Sequence, residues 1–151
     1  MSKKKQISKS NPSSQKRVVS SQRESSYDKK PSWSFSRCDF AHSQWGIDNH
    51  ADKLLEITHR FADLEGMKWS EILTSTAGKR NGTRNHAIGV DEIIKDARDR
   101  LVELRLDEFD EVYSLRLSGP ERIWGLLIGG VFFVLWYDPK HEIFPSEKKH
   151  T

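Results

Sequence analysis

The apolar residues of the chain are concentrated in one run near its C-terminal end, IWGLLIGGVFFVLWY, at residues 123–137. The run has 15 residues, whereas a helix that crosses a bilayer needs about 20. Gly129 and Gly130 interrupt it, and paired glycines favour a two-residue hairpin turn because both turn residues need a positive φ. Its β-branched and aromatic composition also favours strands. We interpret the run as two buried strands and not as a membrane segment.

A two-residue turn at Gly129 and Gly130 predicts the register of this hairpin. Ile128 then pairs with Val131, and Arg122 lies opposite Tyr137. One face carries Arg122, Trp124, Leu126, Phe133, Leu135 and Tyr137, and the other carries Ile123, Gly125, Leu127, Phe132, Val134 and Trp136. Because both faces are mostly apolar, we expect the hairpin to lie within a sheet that helices cover on at least one side.

The hydrophobic pattern before the hairpin predicts, in chain order, one strand, three helices and a further strand. Alternation predicts a strand over Trp33–Phe40, and spacings of three and four predict helices from Asp48 to Gly66, over 68–73 and from Asp91 to Leu106. The stripe of the first helix is Ala51, Leu54, Leu55, Thr58, Phe61 and Leu64. A strand over Glu111–Leu117 comes before the hairpin. The order predicts an α+β fold with an N-terminal strand, three helices and a C-terminal antiparallel three-stranded sheet.

Charge divides the chain unevenly. Residues 1–32 have nine Lys and Arg against two Asp and Glu, so of the 25 basic and 22 acidic residues in the chain, 16 and 20 belong to residues 33–151. Residues 1–32 are rich in Ser and Lys, with few large apolar side chains, so we predict a disordered basic tail before a single domain at 33–151. The tail is interpreted either as an electrostatic arm for a polyanion or as a solubilising leader.

Cysteine and histidine usage excludes several kinds of site. Cys38 is the only cysteine, which argues against disulfides and thiolate zinc sites and favours a reducing, cytoplasmic location. A single thiol in a predicted strand is more typical of a core residue than of a nucleophile. The six histidines lack metal-ligand spacing, and no nucleotide-binding or serine-hydrolase motif is present, so we expect neither a metal nor a cofactor.

A set of basic residues remains as candidate chemistry. It comprises Lys79, Arg80, Arg84 and His86 in the loop predicted over Thr74–Gly89, Arg116 and Arg122 in strands, and His141, Lys148, Lys149 and His150 near the end of the chain. Metal-independent RNA cleavage needs a base, an acid and cations for the developing charge. The candidate catalytic residues are His86, Arg116, Arg122 and His141, and the candidate nucleic-acid contacts are Lys79, Arg80, Arg84, Lys148 and Lys149. The alternatives are a solvated loop, a structural ion pair at Arg122 and a turn role for His141.

Three stretches resemble an uncharacterised bacterial and phage family. Gly125–Pro145 contains VFFVLWYDPKH and a later FP, and it resembles the terminal motif of that family, vFyvvWlDPnHnlyP. WSEIL at 69–73 and NHAI at 85–88 resemble its upstream W-x-E-L and H-x-I segments. This resemblance implies no function.

The predicted order of elements also resembles RelE/ParE-type toxins of toxin–antitoxin modules. The resemblance implies cleavage of messenger RNA on the ribosome and an antitoxin that covers the sheet, with Arg122 matching a hairpin arginine and Arg116 on the preceding strand. The basic end at 148–150 matches the short terminal segment of some members, whereas the acidic folded part departs from them. The first hypothesis is a cytoplasmic endoribonuclease toxin. The second is a non-enzymatic protein- or nucleic-acid-binding module of a phage or mobile element, and a ParE-like action on a topoisomerase is a third.

Overall fold

The fold is built on one sheet of five strands. The computed structural model describes residues 25–74 and 85–145. The strands are β1 (Ser32–Ser34), β2 (His86–Gly89), β3 (Glu111–Arg116), β4 (Arg122–Ile128) and β5 (Val131–Asp138). Their order is β1-β5-β4-β3-β2, with β1 parallel to β5 and the other neighbours antiparallel. The α+β class is confirmed, and the prediction of a three-stranded sheet is wrong, because β1 and β2 extend the sheet at its two edges.

Within residues 28–74 and 85–145 the α-helices are α1 (Leu54–Leu64), α2 (Trp69–Thr74) and α3 (Lys95–Glu103). Helix α2 lies within one residue of its predicted bounds, whereas α1 and α3 are shorter than predicted. A 3₁₀ segment, Ile47–Lys53, precedes α1 and is broken at His50, which has φ −133° and ψ 38°. A second, Val90–Glu92, precedes α3, and the extended ψ of 156° at Ile94 delays the start of that helix.

The buried face of α1 agrees with the predicted stripe at Phe61 and Leu64 and departs from it elsewhere. Ile57, Phe61 and Leu64 are buried, whereas Leu54 and Leu55 are 37% and 69% exposed. The spacing of 57, 61 and 64 is equally helical, so the sequence supports two overlapping stripes. Of the predicted stripe, Ala51 lies in the 3₁₀ segment that is broken at His50, outside α1.

Apolar cores lie on both sides of the sheet. On one side α1 and α2 pack against β3, β4 and β5, in a cluster that includes Ile57, Phe61, Trp69, Ile72, Leu115, Ile123 and Phe132. On the other side α3 packs in a cluster that includes Ala97, Leu101, Val112, Trp124, Leu126 and Trp136. Helices therefore cover both faces of the hairpin, as the apolar pattern on both of its faces favours.

The hairpin turn is confirmed, but its register changes within the strands. Gly129 and Gly130 have φ of 58° and 87°, and Ile128 pairs with Val131 as predicted. A β-bulge follows, because Trp124 pairs with Trp136 and the next residue, Gly125, pairs with Val134. The predicted pairing of Arg122 with Tyr137 is therefore wrong, and Arg122 lies opposite Asp138.

After the bulge, the residues of β5 point to the sheet faces opposite to those predicted. Leu135 has no partner on β4, and its carbonyl accepts a hydrogen bond from the Asp39 backbone N–H at 3.1 Å. One extra residue reverses the alternation of β5. As a result Trp136 packs on the α3 side and Tyr137 on the α1 side, which is the reverse of the prediction.

The first strand ends well before the predicted residue Phe40. Only Ser32–Ser34 pair with β5, and the chain turns at once, with the Cys38 N–H donating to the Phe35 carbonyl at 3.1 Å. Asp39 is buried and accepts hydrogen bonds from the Nε of Arg100 and the Nε1 of Trp136, each at 2.8 Å. Although burial alone raises the pKa of Asp39, these bonds hold that pKa below its ordinary value. A buried acid thus replaces the end of the predicted strand.

Two predicted irregular segments contribute to the fold. Residues 25–27 form a helical turn, and the buried Ser26 accepts a hydrogen bond from the Gly130 N–H at 3.0 Å. The ordered chain therefore begins before the predicted boundary at residue 33, because polar side chains there close the hairpin turn. The predicted disorder of residues 1–24 lies outside the described residues. The predicted loop Thr74–Gly89 is wrong at His86–Gly89, which pair with β3, and its residues 75–84 also lie outside.

Gly125 gives a test of the bulge. A Cβ at this position would lie 2.6 Å from the Phe132 ring and would also meet the Phe133 carbonyl oxygen. We expect Gly125→Ala to lower the free energy of unfolding by about 1–3 kcal/mol, as overpacking does. Urea unfolding measures the difference. The matched control is Gly66→Ala, where an added Cβ meets nothing within 4 Å, and equal stabilities of the two variants would contradict the proposed packing constraint.

Candidate active site

Strand register places two rows of side chains at one end of the sheet. In the first row His86 lies opposite Ser114, Ser114 opposite Trp124, and Trp124 opposite Trp136. In the next row Arg116 lies opposite Arg122, and Arg122 opposite Asp138. Residues two apart in a strand point to the same face. Because Trp124 and Trp136 belong to the α3-side core, both rows lie on that face.

His141 reaches this end of the sheet from the loop after β5. Its φ of 60° is in the left-handed region, which few residues other than glycine adopt. Asp138, which is fully buried, fixes the loop by accepting hydrogen bonds from the backbone N–H groups of Glu142 at 3.0 Å and Ile143 at 2.9 Å. It also accepts one from the Trp124 Nε1 at 3.3 Å. The Nδ1 of His141 is buried, and no other residue of the described chain offers it a hydrogen bond.

Strand register places His86 in the row next to that of Arg122, and His141 follows Asp138, the cross-strand partner of Arg122, by three residues. Partial burial, then the charge of Arg122 and then His141, lower the pKa of His86 below its ordinary value. Burial and Arg122 also lower the pKa of His141, although Asp138 opposes them. We refer to His86, Arg116, Arg122 and His141 as the Arg–His cluster. The structure brings together these four sequence-predicted residues, which come from three strands and a loop.

The two arginines of the Arg–His cluster occupy an unfavourable position relative to each other. Arg116 and Arg122 are direct cross-strand partners, and like charges placed so destabilise a sheet by up to about 1 kcal/mol. Two hydrogen bonds fix the Arg122 guanidinium on its Nη1 side. The Nη1 atom donates to the carbonyls of Gly119 at 2.7 Å and Glu121 at 3.1 Å. Because guanidinium groups bind anions through charge-assisted hydrogen bonds, this register favours an anion as ligand.

Asn85 is a positioning residue that the sequence analysis did not single out. It is buried, its Nδ2 donates to the Ile72 carbonyl at 3.1 Å, and its Oδ1 accepts the Arg116 N–H at 2.9 Å. These bonds tie the start of β2 to α2 and β3, and so they set the position of His86. An asparagine in a polar stretch gives no signal of burial, and Asp138 before a proline reads only as a turn residue.

The predicted nucleic-acid contacts belong to parts of the chain that the structure does not describe. Lys79, Arg80, Arg84, Lys148 and Lys149 lie outside the described residues. Within residues 25–74 and 85–145, no three His, Cys, Asp or Glu side chains are grouped so as to hold a metal ion. In the same ranges every helix is too short or too polar to cross a bilayer. Comparison of the chain with protein-family models, curated proteins and solved structures finds no match in any of the three.

Cys38 has the environment of an inert packing residue. Its thiol is partly buried and faces the Leu135 carbonyl at 3.6 Å. Burial, with the nearby carboxylates of Asp39 and Asp48, raises the pKa of Cys38 to about 12. The thiol therefore stays protonated near neutral pH and is a poor nucleophile.

The reactivity of Cys38 provides a direct measurement. Because the thiolate is the reactive form, we expect iodoacetamide at neutral to mildly alkaline pH to alkylate the folded protein roughly 100-fold more slowly than the unfolded protein, or slower still. Mass spectrometry follows the reaction with and without denaturant. Since the chain has one cysteine, the unfolded chain is its own reference, and similar rates in the two states would count against a raised pKa.

The two histidines of the Arg–His cluster predict a pH-dependent stability. Their pKa values lie below 6.5 when folded, so in this window the unfolded chain binds more protons than the folded one. Stability is therefore full above about pH 7 and is lost as pH falls from about 6.5 towards the folded pKa values. We expect the double variant His86→Gln/His141→Gln to lose less stability than the wild type between about pH 7.5 and pH 5.5.

Urea unfolding at each pH provides the measurement. His59 is exposed on α1, on the other side of the sheet, so His59→Gln serves as the matched control and is expected to keep the wild-type slope. Identical slopes for the wild type and the double variant would contradict the lowered pKa values.

Proposed function

We propose that the chain is a RelE-like toxin, a metal-independent endoribonuclease that cleaves messenger RNA at the Arg–His cluster. The observation that carries the proposal is the convergence of His86, Arg116, Arg122 and His141 at one end of one sheet face. These residues are far apart in sequence, and their side chains supply the proton acceptor, the proton donor and the cations that phosphodiester cleavage requires.

In the cleavage step one bond to phosphorus forms and another breaks. The 2′-oxygen attacks the adjacent phosphorus, the new P–O2′ bond forms, and the P–O5′ bond breaks to give a 2′,3′-cyclic phosphate and a 5′-hydroxyl. One histidine accepts the 2′-hydroxyl proton, and the other donates a proton to the leaving O5′. His86 and His141 share these roles, and the lowered pKa values favour the neutral form that a base needs.

The arginines hold the phosphate during this step. A guanidinium keeps its charge at all relevant pH values and binds phosphate oxygens through two N–H groups. Arg122, with its Nη1 bound to the Gly119 carbonyl at 2.7 Å, is held in place before a substrate arrives. Such preorganisation contributes to transition-state stabilisation.

A second candidate function is a non-enzymatic binding module of a phage or mobile element. Residues 33–151 have 20 acidic against 16 basic residues, which opposes the approach of a polyanion. β2 is also an edge strand of the described sheet, and an edge strand is a template for pairing with an extended segment of another protein. An antitoxin would be such a partner under the first function.

Cleavage of a messenger RNA, with and without ribosomes, tests the first function. We expect His86→Gln, His141→Gln and Arg122→Gln each to lower the rate by about 10²–10⁴-fold, as the loss of a proton donor, acceptor or phosphate clamp does. Gel electrophoresis measures the rate, and end analysis identifies the cyclic phosphate. A substrate with 2′-deoxy nucleotides should remain intact, because it lacks the attacking hydroxyl.

His59→Gln is the control for this experiment, since His59 lies on α1, on the opposite side of the sheet. It should cleave at the wild-type rate. Wild-type protein that cuts no faster than the three site variants, in the presence of ribosomes, would overturn the nuclease and leave the binding module.

A further inference from the structure

The two edge strands of the sheet differ in how they are protected against further pairing. Within the described residues β1 and β2 each have a neighbouring strand on one side only. Strand β1 has three residues and is preceded by Lys29, Lys30 and Pro31. Lysine and proline are residues that proteins place at sheet edges to prevent pairing. Strand β2 has four residues, none of them lysine or proline, so its edge is the better template for an added strand.

The register of β2 determines which of its backbone groups point away from the sheet. Val90, which follows β2 directly, donates its N–H to the Asp110 carbonyl at 2.8 Å. In an antiparallel pair the backbone groups of successive residues point alternately towards the partner strand and away from it. Since Val90 and therefore Ile88 face β3, the N–H and C=O groups of Ala87 and Gly89 point outward. A methyl group and a hydrogen atom do not crowd a backbone that approaches there.

Side chains close the sheet edge beyond the start of β2. The backbone of Arg116 on β3 faces the same edge, where its N–H donates to the Asn85 Oδ1 at 2.9 Å and its carbonyl accepts the Arg60 Nε at 2.9 Å. At its other end β2 passes directly into the 3₁₀ segment Val90–Glu92. An added strand therefore has a short target with a fixed position, the two outward-facing residues of β2.

The two ends of the β2 edge carry opposite charge. A Cβ added to Gly89 would lie 2.8 Å from the Asp91 Oδ1 and 3.8 Å from the Glu92 Cδ, so both carboxylates lie against the end of β2. At the opposite end the neighbouring strand β3 finishes at Arg116. A complementary strand therefore has an acidic end where it passes Arg116, and small or apolar residues opposite those of β2.

We propose that this edge binds β2 of a second copy of the chain, antiparallel and about a two-fold axis at Ile88. Ala87 of each copy then pairs with Gly89 of the other, so the outward N–H and C=O groups of both strands are bonded. Ile88, which belongs to the core on the α3 side, lies opposite Ile88 of the second copy. The antiparallel direction carries the acidic end of each β2 towards the Arg116 end of the other. A two-fold contact in which the same residues serve both copies is the commonest kind of homodimer.

This dimer goes beyond the proposed function and does not depend on RNA cleavage. Its contacts are backbone hydrogen bonds of Ala87 and Gly89, which have no role in proton transfer or phosphate binding. In the dimer the two sheets join edge to edge, and the β2 edge is then no longer available to a segment of another protein.

Sedimentation equilibrium of the full chain over a wide range of concentration tests the dimer. We expect twice the mass of one chain at high concentration and a single chain on dilution. Ala87→Pro removes an outward N–H and leaves the bonds to β3 intact. It should raise the dissociation constant by about tenfold or more, because the two-fold axis removes two hydrogen bonds at once.

Leu55→Ser is the control for association through another surface. Leu55 is 69% exposed on α1, and its replacement should leave the dissociation constant unchanged. A single chain at every concentration, or dissociation by Leu55→Ser and not by Ala87→Pro, would overturn the inference.

Amide hydrogen exchange of the unaltered chain tests the same contact without a substitution, so the inference stays testable if Ala87→Pro does not fold. The amides of Ala87 and Gly89 should exchange more slowly as the concentration rises, whereas the Val90 amide, bonded to Asp110, is protected throughout. Protection of Ala87 and Gly89 that is independent of concentration would mean that a single chain covers this edge. Fast exchange of these amides in a dimer would place the interface elsewhere, and either result rejects the pairing of β2 with β2.

Discussion

The extra residue in β5 is the constraint on which the rest of this structure depends. Gly125 leaves room for the Phe132 ring and the Phe133 backbone, and beyond it Leu135 has no partner on β4. That single insertion turns Trp136 towards α3 and Tyr137 towards α1. It also places Asp138, and not Tyr137, across from Arg122. The composition of both cores and of the candidate site follows from it.

The Leu135 carbonyl, which has no partner on β4, is also where the segment after β1 attaches to the sheet. Asp39 donates its backbone N–H to Leu135 at 3.1 Å, and its carboxylate joins Arg100 of α3 to Trp136 of β5. A buried ion pair of this kind contributes little net stability, but removal of one partner is costly, because it strands a buried charge. The network therefore selects one arrangement of α3 over the sheet.

Sequence patterns predict the local parts of this fold well. The glycine pair, the helix α2 and the strand that became β3 follow from residue type and spacing alone. β2 was missed because its four residues, HAIG, are too short to show alternation. Hydrophobic spacing does not decide between the two overlapping stripes of α1, and it does not reveal the bulge that sets the register of β5.

Residue types in the sequence indicate the members of the candidate site, whereas the fold determines which of them come together. Reactive residue types indicated His86, Arg122 and His141, because few other groups in the chain suit proton transfer and phosphate binding. Their proximity depends on β2 pairing with β3 and on the bulge, so the sequence alone did not predict it. Asn85 and Asp138, which hold two of these residues in place, look like ordinary turn residues until their burial is known.

Residues 25–29 attach to the hairpin turn, at the end of the sheet that lies away from the Arg–His cluster. Ser26 binds the Gly130 N–H at 3.0 Å, while Arg122 and Asp138 lie at the far ends of the two strands. The eight residues of β5, at about 3.3 Å each, separate these two ends by roughly 25 Å. Residue 25, the first described residue, therefore lies near the pole opposite the Arg–His cluster, and a label attached to this residue is distant from the cationic end of the sheet.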